Sequence, residues 1–190
     1  MLITFSYICG FLLLKLNNMT TGSPTSQPGY FQVYINQVAE KDLPSAFTNQ
    51  SHVIKDFLPS ISEEQSNIAY APGKWTLKEL LQHMIDTERI LNYRALSFAR
   101  KEAAPLPGFE ENDYAKNSNA NNRTWESLTA EFVAVRRSTL FLFDSFTPEM
   151  LASGGTANNN AFTVKALGFI IAGHFYHHKK IIEDKYLAKG

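Results

Sequence analysis

The sequence has little of several features that define large classes of proteins. It contains one cysteine, Cys9, among 190 residues, so no disulfide can form within the chain. This composition suits a reducing compartment, and we expect a cytoplasmic protein. The 18 basic and 18 acidic residues balance to a formal net charge of zero. The charge therefore predicts no nucleic-acid partner and no anionic membrane surface.

The sequence also lacks the motifs of several common enzyme classes. It has no glycine-rich phosphate loop, no recognisable Ser-His-Asp pattern and no cysteine available as a nucleophile. No segment alternates apolar and polar residues with period two over a useful length, so no sheet is predicted. The remaining composition, 44% apolar and 19% charged, is ordinary for one globular domain.

Residues 1–16 are almost entirely apolar, with Lys15 as the one charged residue. They lack the basic start and clear cleavage site of a secretory signal, and the run is shorter than the roughly 20 residues that span a bilayer. Three interpretations stay open: an extension of the gene model, a weak signal or membrane anchor, or an added helix. A stretch rich in serine, proline and glutamine follows. We expect residues 1–29 to form an apolar extension and flexible leader before a domain at 30–190.

Apolar residues recur at helical spacing over the rest of the chain. A short helix is predicted at Tyr30–Val38, and four long helices are predicted after it. They cover Leu43–Leu58, the segment from Thr76 to Arg100, the segment from Thr124 to about Phe146, and Thr163–Leu187. Thr76 with Glu79 forms a predicted capping box at the start of the second long helix. Ala103–Asn122 and Ser153–Asn160 are predicted as connections without strands. The predicted fold is all-α, a four-helix bundle with long inter-helix connections.

Two histidines, His174 and His178, lie four residues apart on the apolar stripe of the last helix. This spacing places both imidazoles on one face, about one turn apart, where they can bind one metal ion. His83 lies at the edge of the apolar face of another helix and is the predicted third ligand. Three imidazoles leave open positions on an ion, which is typical of a catalytic site. The alternative is that these are buried histidines bonded to backbone or water.

The other histidines are not predicted ligands. His177 points about 60° away from the pair, as expected for a residue beside the site or on the surface. His52 has polar neighbours and is predicted to lie on the surface.

Candidates for catalysis are less well defined. Glu79 and Asp86 flank His83 and could orient its ring, or they could lie on a solvated helix surface. Arg136 falls on an apolar stripe, where it could bind an anionic substrate group or join helices through a carboxylate. Asp113 and Tyr114, in the long connection, are further candidates for lining a pocket. Phe175 occupies the position that carries glutamate in the H-E-x-x-H motif of zinc proteases.

An ordered set of motifs resembles the DinB-like superfamily. The motifs are Tyr70-Ala-Pro-Gly-Lys-Trp-Thr-Leu-Lys-Glu-Leu-Leu-Gln-His83, Asp86-Thr-Glu-Arg89, Tyr93-Arg-Ala-Leu96, Leu106-Pro-Gly-Phe109, Val135-Arg136, Ser138-Thr-Leu140 and Gly173-His174-x-x-His177-His178. The resemblance implies a bundle of the DinB/YfiT type in which His83, His174 and His178 bind a divalent metal, zinc or nickel. It also implies a homodimer and a small-molecule substrate, with a low-molecular-weight thiol as a further cofactor.

The resemblance implies two alternative functions. The first is a metal-dependent enzyme, either a hydrolase or a thiol-dependent transferase. The second is a non-catalytic metal-binding or stress-response protein that has lost the activity. Many relatives carry glutamate where this chain has Phe175, and this difference favours the second alternative. The open three-ligand geometry favours the first. A solvent-reachable cavity beside the imidazoles would support the first alternative, and a cavity filled by Phe175 or Tyr176 would support the second.

Overall fold

A computed structural model describes residues 29–188 of the chain. Within this range the protein is mostly helical, and no helix in it is long and apolar enough to cross a membrane. The helices are α1 (Gly29–Ile35), α2 (Leu43–Phe57), α3 (Glu63–Ser66), α4 (Leu77–Ala99), α5 (Glu111–Asn117), α6 (Trp125–Asp144), α7 (Pro148–Ala152) and α8 (Val164–Ile181). Short 3-10 turns cover Leu58–Ser60 and Ala120–Asn122, and α8 continues as a π-helical segment, Ile182–Leu187.

The predicted all-α four-helix bundle is confirmed, with α2, α4, α6 and α8 as the long helices. The helix boundaries follow their capping residues. Thr76 and Glu79 form the predicted capping box of α4, and the Thr124 hydroxyl caps α6 by accepting a hydrogen bond from the Ser127 amide. The first helix is shorter than predicted and ends at Ile35. The predicted extension and leader at residues 1–29 lie outside the described residues, apart from Gly29.

The helices α4 and α6 run parallel to each other. Arg89 bonds to Glu131, and Asn92 bonds to Thr139, so residue numbers rise together along both helices. A chain that leaves the end of one helix must return along the bundle before it can start a parallel neighbour. This requirement explains the long connection between Ala99 and Trp125, which contains α5.

A β-hairpin contacts the connection between α4 and α6 at Leu106. Strands β1 (Gly154–Ala157) and β2 (Asn160–Thr163) pair antiparallel around a two-residue turn. Both turn residues, Asn158 and Asn159, have positive φ, which asparagine tolerates better than most residues. The Leu106 amide donates to the carbonyl of Thr156 in β1 at 2.9 Å. The prediction of a strandless loop over Ser153–Asn160 is therefore wrong.

Two apolar clusters fill the bundle, and a layer of buried polar side chains lies between them along the helices. One cluster contains Phe47, Leu91, Phe143 and Ile171, and the other contains Ile54, Met84, Phe132 and Phe175. The polar side chains between these positions are Gln50 of α2, Glu88 of α4, Arg136 and Thr139 of α6, and His174 of α8. The core is thus apolar at both ends and polar at the level of His174.

Candidate metal centre

The two helices α4 and α8 supply the three predicted histidine ligands. His83 lies two turns into α4, and His174 and His178 lie one turn apart on α8. All three are buried, with 6%, 6% and 7% of their surfaces exposed. The pattern of apolar residues that predicts these helices therefore also predicts which way the three imidazoles face.

Gly173 allows α8 to pass close to α1 immediately before His174. A Cβ atom at this position would lie 1.9 Å from the carbonyl oxygen of Tyr34, so no side chain fits there. The close approach places the Tyr34 ring edge-on against His174, with ring centroids 5.3 Å apart. The glycine and the helix crossing together fix one wall of the site.

The Nε2 atoms of the three histidines converge on one point. The Nε2 atom of His174 lies 3.2 Å from that of His83 and 2.9 Å from that of His178. One ligand atom from each residue falls within 4.8 Å of the other two. Nitrogens bound to one tetrahedral ion at about 2.0–2.1 Å lie roughly 3.3 Å apart. The observed spacing therefore fits three ligands of a single ion.

Burial keeps the three imidazoles neutral. It lowers the pKa of His83 to about 4, with His177 as a smaller cause. The pKa values of His174 and His178 lie well below the usual range, because of burial first and of nearby basic groups second. A neutral imidazole keeps a lone pair on one ring nitrogen, which is the form that binds a metal. Near neutral pH the three imidazoles are therefore in the unprotonated form that can bind a cation.

Hydrogen bonding within the cluster cannot satisfy every ring nitrogen. Each neutral ring has one N–H, while the Nε2 atom of His174 is approached by two other Nε2 atoms. A cation at the convergence point accepts all three Nε2 lone pairs at once, so the donor set fits a divalent metal.

Aromatic rings form the rim of the cluster. The Trp75 ring lies 5.0 Å from that of His83, and the Tyr34 ring lies 5.2 Å from that of His177. His177 is half-buried beside the cluster, as predicted, and His52 is exposed on α2. The sequence pattern predicts no contact of Trp75 or Tyr34 with the cluster, because neither residue belongs to a helix that carries a ligand.

Glu79 and Asp86 bond to residues other than His83. The Glu79 carboxylate accepts from the Thr76 amide at 2.8 Å, as the capping box requires. The Asp86 carboxylate accepts from Gln82 at 2.9 Å. Neither has a hydrogen bond to His83 among those of the described residues. Glu79 caps α4, and Asp86 pairs with Gln82 in the same helix.

Arg136 joins helices through a carboxylate, which is one of its two predicted roles. Its Nε and Nη2 atoms donate to the two carboxylate oxygens of Glu88, both at 2.8 Å. Thr139 donates to the same carboxylate, and Arg136 also donates to Gln50. The sequence pattern predicts no role for Glu88 or Gln50. Glu88 lies between Met84 and Leu91 on the apolar stripe of α4, and this position is the pattern that could have identified it.

Phe175 fills space next to His174. It is 1% exposed, and its ring packs 5.9 Å from that of Phe132. A cavity beside it, lined by Glu88, Arg136 and His174 among others, is too narrow to hold a water molecule. The inner side of the cluster therefore offers no room for substrate.

Asp113 and Tyr114, the other predicted pocket residues, lie in α5. Tyr114 is 47% exposed, and Asp113 is also exposed. The Tyr114 ring packs against that of Phe109 in the same connection. Neither side chain lines the cavity beside His174.

These features define the class of protein as a four-helix bundle that carries a cluster of three histidines. The model of the DinB superfamily matches residues 46–182. This range is most of the chain and includes all three histidines, and the chain belongs to this superfamily.

A solved structure shows the same fold. YfiT from Bacillus subtilis, described as a probable metal-dependent hydrolase with an unusual four-helix bundle topology, superimposes with a TM-score of 0.64 at 15% sequence identity. The match covers 85% of this chain and 86% of that chain. At this identity the likeness establishes the fold alone. No curated protein sequence matches the chain significantly.

Proposed function

We propose that this protein is a metal-dependent enzyme in which His83, His174 and His178 bind one divalent ion, zinc or nickel. The convergence of the three Nε2 atoms, at 3.2 and 2.9 Å, is the observation that carries the proposal. A bound divalent ion acts as a Lewis acid and lowers the pKa of a water or thiol toward neutrality. Hydrolysis and thiol transfer both require such a nucleophile, so the proposed reaction is one of these two.

The residues around the centre have separate roles in this proposal. The three imidazoles bind the ion and leave positions free for a water or a low-molecular-weight thiol. Phe175 and Phe132 keep water out of the inner side, because the cavity there is too narrow for a water molecule. We propose that substrate reaches the centre past Trp75 and Tyr34, whose rings lie beside those of His83 and His177. We propose a small molecule as the substrate, in a cytoplasmic homodimer.

Phe175 favours a second candidate, a metal-binding protein without catalytic activity. Its side chain offers no group for proton transfer. Glu88, a buried carboxylate that lines the cavity beside His174, is already bonded to Arg136 and Thr139. In this candidate the same three histidines bind the ion, and the bundle serves binding or stress response.

An activity comparison distinguishes the two candidates. Zinc-loaded and nickel-loaded wild-type protein is assayed against simple esters and amides, and against thiol acceptors with low-molecular-weight thiols. His83→Ala serves as the site variant and His52→Ala as its matched surface control. Metal-dependent turnover in wild type and His52→Ala, but not in His83→Ala, is expected. Metal binding without turnover of either substrate class would instead favour the second candidate.

A further inference from the structure

Four buried polar side chains lie at the level of the histidine cluster without belonging to it. Gln50 and Thr139 are 0% exposed, and Glu88 and Arg136 are each 3% exposed. Burial of a charged pair costs desolvation energy that its attraction often fails to recover, so its presence is weak evidence for a stabilising role. The position of these four side chains beside the candidate metal centre indicates a role other than stabilisation of the fold.

The network first connects α4, α6 and α2. Arg136 of α6 binds Glu88 of α4 with two hydrogen bonds of 2.8 Å, and Thr139 adds a third of 2.6 Å. The remaining guanidinium nitrogen of Arg136 donates to the side-chain oxygen of Gln50 in α2. The three helices are thus joined by directional bonds rather than by apolar contact alone.

Gln50 extends the network to α8. Its side-chain N–H donates to the main-chain carbonyl of Ala172 at 2.6 Å. Ala172 lies two residues before His174, and Glu88 lies five residues after His83. A continuous set of hydrogen bonds therefore runs from the helix of one ligand, through two other helices, to the helix of the other two ligands.

At the level of His174, directional hydrogen bonds are needed to fix the position of α8 relative to α4. Apart from Glu88 and His174, the residues of α4 and α8 that line the cavity here are apolar, namely Met84, Leu91, Ile171 and Phe175. Apolar burial is not directional and tolerates small sliding movements, whereas hydrogen bonds weaken steeply with distance and angle. A metal site requires its ligand atoms to be placed within a few tenths of an ångström.

We propose that Gln50, Arg136 and Glu88 act as positioning residues that set α8 against α4 and so fix the separation of His174 from His83. None of the three binds the ion. The inference rests on the proposed metal centre. Among the described residues, Gln50 provides the hydrogen bond by which the network reaches α8.

Two substitutions of Gln50 separate positioning from simple stabilisation. Gln50→Glu keeps an oxygen for Arg136 but removes the N–H that donates to Ala172. Gln50→Met removes both bonds at similar volume. The matched control is Asn92→Ala, which loses a bond of 2.7 Å between α4 and α6 but leaves the path to Ala172 intact.

The readouts are zinc affinity, measured by competition with a chelator, and the visible spectrum of the cobalt-loaded protein. Unfolding in urea with EDTA measures the stability of each metal-free variant separately. Wild type and Asn92→Ala are expected to share one affinity and one spectrum. Both Gln50 variants are expected to bind zinc at least about tenfold more weakly and to change the cobalt spectrum, as loss of outer contacts does in other metal sites.

The outcomes are distinguishable. Gln50 variants that are less stable but bind zinc like wild type, with an unchanged cobalt spectrum, would overturn the inference and leave the metal centre standing. Failure of wild type to bind an ion would overturn both. If neither Gln50 variant folds, Arg136→Lys decides, because it keeps a cation beside Glu88 but lacks the nitrogens to bond twice to Glu88 and once to Gln50: an unchanged affinity and spectrum overturn the inference, and weaker binding supports it.

Discussion

At the scale of single residues, the buried histidines make the stability of the metal-free protein depend on pH. Burial lowers the folded-state pKa of His83 to about 4, from an unfolded value of about 6.5. The unfolded chain therefore binds more protons between these values. The contribution of His83 to the free energy of unfolding is fully present above pH 6.5 and is lost as the pH falls toward 4.

Urea unfolding of the metal-free protein at pH 7.5, 6, 5 and 4 measures this effect. A falling free energy of unfolding is expected across the series, and His83→Phe, which cannot take up a proton, should show a weaker fall than wild type. The same slope in the variant would show that His83 is not the residue responsible.

The ion pair of Arg136 and Glu88 gives a second prediction at this scale. Both side chains are buried, so Arg136→Met leaves a carboxylate buried without its partner. The expected loss is about 3–5 kcal/mol, measured by urea unfolding. The double variant Arg136→Met with Glu88→Leu removes both charges and should recover part of the loss. Additive losses in the double variant would contradict this coupling.

At the scale of secondary-structure elements, the crossing of α1 over α8 depends on Gly173. Gly173→Ala places a methyl group 1.9 Å from the Tyr34 carbonyl oxygen, so one helix must move. A loss of about 1–3 kcal/mol is expected from unfolding curves. Gly29→Ala is the matched control, because a Cβ there meets nothing within 4 Å, and its change should stay within about 0.5 kcal/mol. Equal effects of the two substitutions would show that the crossing is not tight.

The helices could be predicted from the sequence because each carries its own signals. The capping box of Thr76 and Glu79, and the apolar stripes that place His83, His174 and His178 on inner faces, are local patterns. The hairpin at Gly154–Thr163 could not be predicted in the same way. Its strands are four residues long, and its pairing is stabilised by the connection at Leu106, far away in the sequence.

The polar network shows the same limit within the candidate site. Arg136 was identified because a guanidinium on an apolar stripe needs a partner. The identity of that partner, Glu88, and its extension through Gln50 to Ala172 depend on the parallel order of α4 and α6. This order is a property of the assembled bundle, and no local pattern encodes it.

At the scale of the whole molecule, metal binding should stabilise the bundle, because the ligands come from two different helices. An ion that binds the folded chain at a free concentration of 100 times its Kd adds about 2.7 kcal/mol. For a chain of this length, the midpoint of thermal unfolding should rise by about 5–10 °C. Thermal unfolding with zinc and with EDTA measures the shift, and His178→Ala should show none. A shift of equal size in that variant would place the ion elsewhere.

The metal content of purified protein, determined by mass spectrometry of the elements, tests the three-histidine centre most directly. Wild type, His52→Ala and His177→Ala should each hold about one divalent ion per chain, because their three ligands are intact. His83→Ala and His174→Ala should hold almost none. Equal metal content in all five proteins would contradict the assignment of His83, His174 and His178 as the ligands.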